Sequence, residues 1–251
     1  MTNIAVLGYG TVGAGVVEVI EVNKKSISHH AGCEINVKYV LDLKDFPGDK
    51  IQEKIVHDFN VILRDPQVKI VAEAMGGIHP AYDYAKLALE HGKSVVTSNK
   101  ELVAKHGAEL LDIAAKNNLN FLFEASVGGG IPIIRPLNRS LTADVITEIN
   151  GILNGTTNYI LSKMELEGLP FDVVLKEAQE LGYAERNPEA DVEGHDACRK
   201  IAILSSIAHG LQVDYENIYT EGITNISDKD MLYAKKLKSS IKLIATCKTV
   251  E

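Results

Sequence analysis

The 251-residue sequence lacks any long uninterrupted apolar run, which excludes a membrane-spanning helix built from about 20 consecutive apolar residues. It lacks a basic excess as well. Its 26 Lys and Arg face 34 Asp and Glu, and the resulting charge of -8 has the wrong sign for a partner that neutralises nucleic-acid phosphates. Its cysteines are few: Cys33, Cys198 and Cys247 are odd in number and share no metal-ligand spacing, which argues against a disulfide framework and for reduced thiols. Met1-Thr2-Asn3 leads directly into an apolar stretch, without the basic region and apolar core of a signal peptide. No repeat or low-complexity tract is visible, and 45% hydrophobic residues is far from a disordered composition. The expectation is a cytoplasmic globular protein of one or two domains, with neither nucleic acid nor membrane as partner.

What is present is an alternation of short apolar strands and helical stretches. Residues 3–8 read as a buried strand, and residues 12–22 as a helix with apolar residues at 12, 16, 17, 19, 20 and 22. Residues 23–32 form a polar insertion. Strands are expected at 34–43, 68–74, 93–97 and 120–125, with a helix between Pro80 and Gly92 and another over 101–116. Strands alternating with helices imply parallel pairing and right-handed crossovers, an α/β domain. The pattern breaks at Ser126-Val127-Gly128-Gly129-Gly130-Ile131-Pro132, so the expected domains are 1–128 and 129–251. In the second, residues 143–153 alternate as a half-exposed strand, three helical segments follow, and 240–250 reads as another strand. With no turn or polar tail after that strand, the second domain is expected to be incomplete.

Gly8-Tyr9-Gly10-Thr11-Val12-Gly13 is a G-x-G-x-x-G between an apolar strand and a helix. In that position Gly8 serves the tight turn, Gly10 lets backbone approach a pyrophosphate, and Gly13 lets helix and strand pack closely. The first-turn N–H groups then face the phosphates. A glycine-rich turn without a ligand is the alternative. Asp42, at the end of the second strand, stands where an acid accepts hydrogen bonds from an adenosine ribose, or else is a plain turn residue.

The segment 178–200 gathers Glu185, Asp191 and Asp196 around Gly182, Pro188 and Gly194, and ends at Lys200. On a helix over 196–209 the row 196, 200, 203, 207 shares one face and reads Asp, Lys, Ile, Ile. A solvated i, i+4 ion pair is one reading of Asp196 and Lys200. A purely solvated row would not continue into two isoleucines.

Together with Val95-Val96-Thr97-Ser98-Asn99-Lys100, the stretch from Glu124 to Pro132, and Gly151-Ile152-Leu153-Asn154-Gly155-Thr156-Thr157-Asn158-Tyr159, these motifs closely resemble homoserine dehydrogenase along essentially the whole chain. The resemblance implies an N-terminal Rossmann-type dinucleotide-binding domain followed by an α+β substrate-binding and dimerisation domain. It also implies NAD(P)-dependent interconversion of L-homoserine and L-aspartate 4-semialdehyde, on the route to threonine, isoleucine and methionine, by a homodimer. By the same resemblance Lys200 is the proton donor, and Lys100 lies near cofactor and substrate. The cofactor residues are Gly8, Gly10, Thr11, Val12, Gly13, Asp42, Thr97 and Lys100. Glu185, Asp191, Asp196, Gly155 and Thr156 line the substrate pocket, with Glu185 a buried acid for the α-ammonium. Glu124, Val127, Gly129 and Ile131 match a site for a monovalent cation such as sodium, built largely of backbone carbonyls. Leu41 stands where many members carry arginine, which favours NAD at least as much as NADP. Two rivals stay open: a thioester-forming semialdehyde dehydrogenase, which needs an activated cysteine, and a truncated dinucleotide-binding module without turnover.

Overall fold

The structure, a computed structural model, describes residues 1–250 and parts into two compact units, Met1–Arg135 and Pro136–Glu251. The first unit opens with β1 (Thr2–Leu7), α1 (Thr11–Val22), α2 (Lys24–Ala31) and β2 (Ile35–Leu41). A turn of 3-10 helix over Lys50–Lys54, β3 (Ile55–Val56) and α3 (Phe59–Arg64) follow. Then come β4 (Val68–Glu73), α4 (Ala81–Glu90), β5 (Ser94–Thr97), α5 (Lys100–Lys116) and β6 (Phe121–Leu122). The strands form one parallel sheet in the order β3-β2-β1-β4-β5-β6.

This is a doubly wound Rossmann order, with its switch point between β1 and β4. Ile4 to Leu7 are all buried because helices cover both faces of a parallel sheet, which explains why β1 reads as a continuous apolar run. Leu7 pairs with both Leu41 and Glu73, so the carboxyl ends of β1, β2 and β4 finish level. Two helices were not anticipated. Within the polar insertion 23–32, Lys24–Ala31 is helical, closed by Gly32 in the left-handed region at φ 69° and tied by an exposed Lys24–Glu34 ion pair at 2.6 Å. Phe59–Arg64 is a helix too, capped by Asp58, whose carboxylate accepts from the Asn60 N–H.

The second unit begins with a π-helical turn over Pro136–Ser140 and continues through β7 (Glu148–Gly151), α6 (Gly155–Glu167), α7 (Phe171–Glu180), α8 (Glu189–Val192), α9 (His195–His209), α10 (Asp228–Lys236) and β8 (Ala245–Lys248). β7 and β8 pair antiparallel, Gly151 opposite Ala245. Here the expected strands shrink: of 143–153 only Glu148–Gly151 is strand, and of 240–250 only Ala245–Lys248. A strand extends only as far as a neighbour satisfies its backbone, and these two segments oppose each other over that short stretch. More helices also lie between them than the expected three. Ile160, Leu161 and Met164 of α6 pack with Val174 and Ala178 of α7, Val192 of α8 and Ile223. Ala197 and Ile201 seat α9 on the ribbon against Ala245 and Ile149. Both clusters hold the start of α6 and the first turns of α9 in place.

Candidate active site

The turn after β1 is shaped by its glycines. Gly8 has φ +89°, and a Cβ there would meet the Ala74 carbonyl oxygen at 3.0 Å; a Cβ on Gly13 would come within 1.8 Å of the Gly8 carbonyl oxygen. Gly10 differs: a Cβ there would meet nothing within 4 Å. Gly8 is therefore required by its left-handed backbone and the close approach of Ala74 after β4, and Gly13 by the packing of α1 on the turn after β1, whereas the absent side chain of Gly10 keeps a surface open. Gly10 also begins α1 with no side-chain cap, and Thr11 and Val12 are exposed beside it. An uncapped helix start with an open cradle, at the switch point of a Rossmann sheet, fits a dinucleotide pyrophosphate.

Asp42 closes the neighbouring side of the turn. Its Oδ2 accepts from the Tyr9 N–H at 2.8 Å and its Oδ1 from the Lys44 N–H at 2.9 Å. Burial pushes its carboxyl up, but the N–H groups of Lys44, Tyr9 and Leu43 outweigh this and leave it below the usual range. Asp42 is thus a fixed anion with acceptor capacity left for a ribose hydroxyl. His57, which sequence reasoning did not single out, donates from Nδ1 to the Asp42 carbonyl at 2.7 Å, while its Nε2 lies 3.2 Å from Asp45. The Asp42 carbonyl and then Asp45 raise the His57 pKa against the effect of burial. Lys38 is turned away, bonded to Asp65 at 2.5 Å and Gln67 at 2.9 Å, so Lys44 is the lysine next to Asp42.

At the ends of β4 and β5, buried Glu73 accepts from the Thr97 hydroxyl at 2.5 Å and the Met75 N–H at 2.8 Å. Thr97 Oγ1 in turn accepts from the Asn99 N–H at 2.9 Å. Asn99 caps α5 by accepting from the Leu102 N–H at 3.1 Å and donates to the Gly77 carbonyl at 2.6 Å. This chain of bonds fixes Lys100, half-buried, on the first turn of α5. A cation there opposes the helix dipole, a local cost in keeping with a functional rather than a structural lysine. Glu73 and Asn99 were not legible as site residues, because each reads as an ordinary strand end or cap.

In the second unit Lys200 and Asp196 form the ion pair that their spacing suggested, Nζ to Oδ2 2.7 Å, and it is not a solvated one: the Asp196 side chain is 3% exposed and that of Lys200 15%. Lys200 Nζ also donates to the Leu153 carbonyl at 2.9 Å. Of the three N–H groups of the ammonium, two are engaged by protein and one remains for a ligand. Asn154, 5% exposed, donates to Asp191 Oδ1 at 2.7 Å and to Asp196 Oδ2 at 2.9 Å. Thr156 donates to the Tyr183 carbonyl at 2.8 Å, and a Cβ on Gly155 would meet nothing within 4 Å. Glu185 corrects an expectation: it is exposed, and its carboxylate has no protein partner among the described residues. Asp191, Asp196 and Lys200 are brought together, while Glu185 stands at the surface.

An apolar cavity of about 560 Å³ lies along a different face of α9, lined by Ala197, Cys198, Ile201, Ile223 and Leu243 among others. It does not include the ion pair. Cys198 donates to the Tyr215 carbonyl at 3.4 Å and Cys33 pairs with the Thr2 hydroxyl at 3.4 Å, so neither is placed as an activated nucleophile.

Glu124 is held by the backbone. Its Oε1 accepts from the N–H groups of Ile133 at 2.6 Å and Ile134 at 2.8 Å, and its Oε2 from Arg135 at 2.8 Å. Burial pushes its carboxyl up, yet these donors bring it below its ordinary value. The turn carrying Val127, Gly129 and Ile131 is tight: Ile131 donates to the Gly128 carbonyl at 2.9 Å, and Gly129 takes φ +59°. Among the described residues no cluster of three or more His, Cys, Asp or Glu could hold a metal. A cation here would depend on backbone carbonyls and the single lone pair left on Glu124 Oε2, a hard oxygen set suited to sodium rather than zinc.

A Rossmann-ordered sheet with an open glycine cradle defines a dinucleotide-binding class of fold, and it is joined in one chain to an α+β unit carrying a buried lysine–carboxylate pair. A family model described as "Homoserine dehydrogenase, NAD binding domain" matches residues 8–124, and one described as "Homoserine dehydrogenase" matches residues 132–251. The homoserine dehydrogenase of Bacillus subtilis is 44% identical over 245 residues, 96% of this chain and 56% of that protein. The crystal structure of a homoserine dehydrogenase from Thiobacillus denitrificans superposes with a TM-score of 0.92 at 42% identity, over 100% of this chain and 58% of that one. That of a putative homoserine dehydrogenase from Archaeoglobus fulgidus does so with a TM-score of 0.88 at 35% identity, over 99% of this chain and 81% of that one. The chain belongs to the homoserine dehydrogenase family. It spans little more than half the length of the Bacillus subtilis relative.

Proposed function

We propose that this chain carries the cofactor and substrate machinery of a homoserine dehydrogenase, interconverting L-homoserine and L-aspartate 4-semialdehyde with NAD(P). The observation that carries the reading is the buried Lys200–Asp196 pair with one ammonium N–H left for a ligand. Bound nicotinamide supplies or accepts the hydride. Gly8, Gly10, Thr11, Val12 and Gly13 hold the pyrophosphate, Asp42 the adenosine ribose, and Thr97 the turn that places Lys100 by the cofactor. When the aldehyde is reduced, negative charge grows on its oxygen, and the Lys200 ammonium stabilises that charge and gives up a proton from Nζ. In the reverse direction neutral Nζ takes the proton from the alcohol. Asp196 fixes the position of the lysine through the 2.7 Å contact of Oδ2 with Nζ. Asp191 and Glu185 offer carboxylates to the α-ammonium, and Gly155 and Thr156 border the same pocket. Lys100 is the second catalytic lysine and adds positive charge beside the cofactor. A monovalent cation such as sodium at Glu124, Val127, Gly129 and Ile131 steadies the turn that ends the first unit.

Among the described residues no helix is long and apolar enough to cross a membrane; the cytoplasmic assignment rests on the reading of the three cysteines as reduced thiols. A homodimer is supported by the short β7–β8 ribbon, whose outer edges lack strand partners among the described residues, with Val145 and Ile244 exposed nearby. Homoserine-dependent reduction of NAD or NADP tests the activity. Turnover that survives alkylation of the cysteines excludes thioester chemistry, and cofactor binding without any turnover would identify a binding module instead.

A further inference from the structure

The ion pair and Asp191 converge on one dipeptide, Leu153-Asn154. The Leu153 carbonyl accepts from Lys200 Nζ, and the Asn154 amide nitrogen donates to both acids. The amide oxygen of Asn154 accepts from the Thr157 N–H at 2.8 Å and the Thr157 hydroxyl at 2.9 Å. Both donors and both acceptors of this buried side chain are therefore used. The reverse amide orientation would set an NH2 group against the Thr157 N–H and an oxygen against two carboxylates, so the network admits one arrangement. Asn154 and Lys200 share the same oxygen of Asp196, Oδ2. Without the amide, the carboxylates of Asp191 and Asp196 would lose the one donor that the two share.

We propose that Asn154 is the positioning residue of this site: its amide holds Asp191 and Asp196 in the orientation that receives an amino-acid ammonium and keeps Lys200 aimed. The identity of that ligand rests on the homoserine reading; the positioning itself does not. Asn154 also caps α6 through its oxygen, and that structural duty must be separated from the first. Asn154→Ser does so, because serine is an equally good cap but has no amide to donate to the acids. Asn154→Ala removes both functions.

The expected result is that Asn154→Ser, which keeps the cap, melts above Asn154→Ala, and that both variants lose roughly tenfold or more in kcat/KM for L-homoserine, the fold-change for a deleted donor to a buried charge. A crystal structure of Asn154→Ser is expected to show the Asp191 and Asp196 carboxylates displaced. Parent-like kinetics in Asn154→Ser alongside a defect in Asn154→Ala would reduce the residue to a helix cap and overturn the proposal. If the parent does not turn over homoserine, the functional reading fails, but the Asn154→Ser structure still decides the positioning role: moved carboxylates uphold it, and unmoved ones sink it.

Discussion

The two units build their sites by different means. In the first, the recognition surface is mostly backbone: the cradle at Gly10, the uncapped start of α1, and an acid pinned by the N–H groups of Tyr9 and Lys44. In the second it is mostly side chains, an amide, two carboxylates and an ammonium from three separate elements. Backbone sites constrain where glycine must be. Side-chain sites constrain which groups must meet.

The sharpest way to break this comparison is Gly13→Ala. A Cβ 1.8 Å from the Gly8 carbonyl oxygen must push helix from strand, and the first unit should lose at least about 3 kcal/mol of stability. Gly10→Ala, with open space around it, should leave thermal unfolding within about 0.5 kcal/mol of the parent while weakening dinucleotide binding. Equal destabilisation by the two, read by calorimetry, would refute the division between packing and ligand glycines.

For the second unit, Lys200→Met keeps much of the volume and removes the proton donor, so kcat should fall about a hundredfold or more. Glu185→Gln, at an exposed position, should chiefly raise KM for homoserine if its carboxylate takes the α-ammonium. A Lys200→Met enzyme within a few-fold of parental kcat would remove Lys200 from the chemistry.

A smaller effect is expected at Asp42. Like-charge repulsion of a 2′-phosphate at this partly exposed anion gives about a tenfold preference for NAD or somewhat more, and Asp42→Ala should shift kcat/KM toward NADP. Lys44 is the counterweight. A clear NADP preference in the parent would mean that Lys44 or His57 overrides the acid.

The smallest effect concerns pH and Glu124. Its folded pKa lies below the unfolded value near 4.3, so its contribution is complete above that pH and disappears as pH falls through the lower folded pKa. Parent and Glu124→Gln should differ in Tm near neutrality and converge in acid. A difference that persists at low pH would show that the three N–H donors do not act through the carboxylate's charge.

The glycine turn, Asp42 and the Asp196–Lys200 row were legible because each lies within one or two consecutive elements, where spacing alone sets geometry. The helix over Lys24–Ala31 was not: it is polar, buries no residue and carries no apolar stripe to mark its period. Glu185 was read as buried, and nothing in its neighbours distinguishes an exposed acid from a pocket acid. Asn154 was not legible as a positioning residue, since its amide meets acids 37 and 42 residues further along the chain. Glu73 likewise looked like a strand end until Thr97 was brought to it across the sheet.

The sequence by itself determined the strand–helix alternation, the glycines that only close backbone approach explains, and the placement of lysine and aspartate on one helix face, because these follow from local periodicity and sterics. Only the tertiary structure decided that Asp196 is buried with Lys200 rather than solvated, and that one asparagine joins two distant acids. Burial and hydrogen-bond partnership depend on which segments pack together, and no local pattern encodes that.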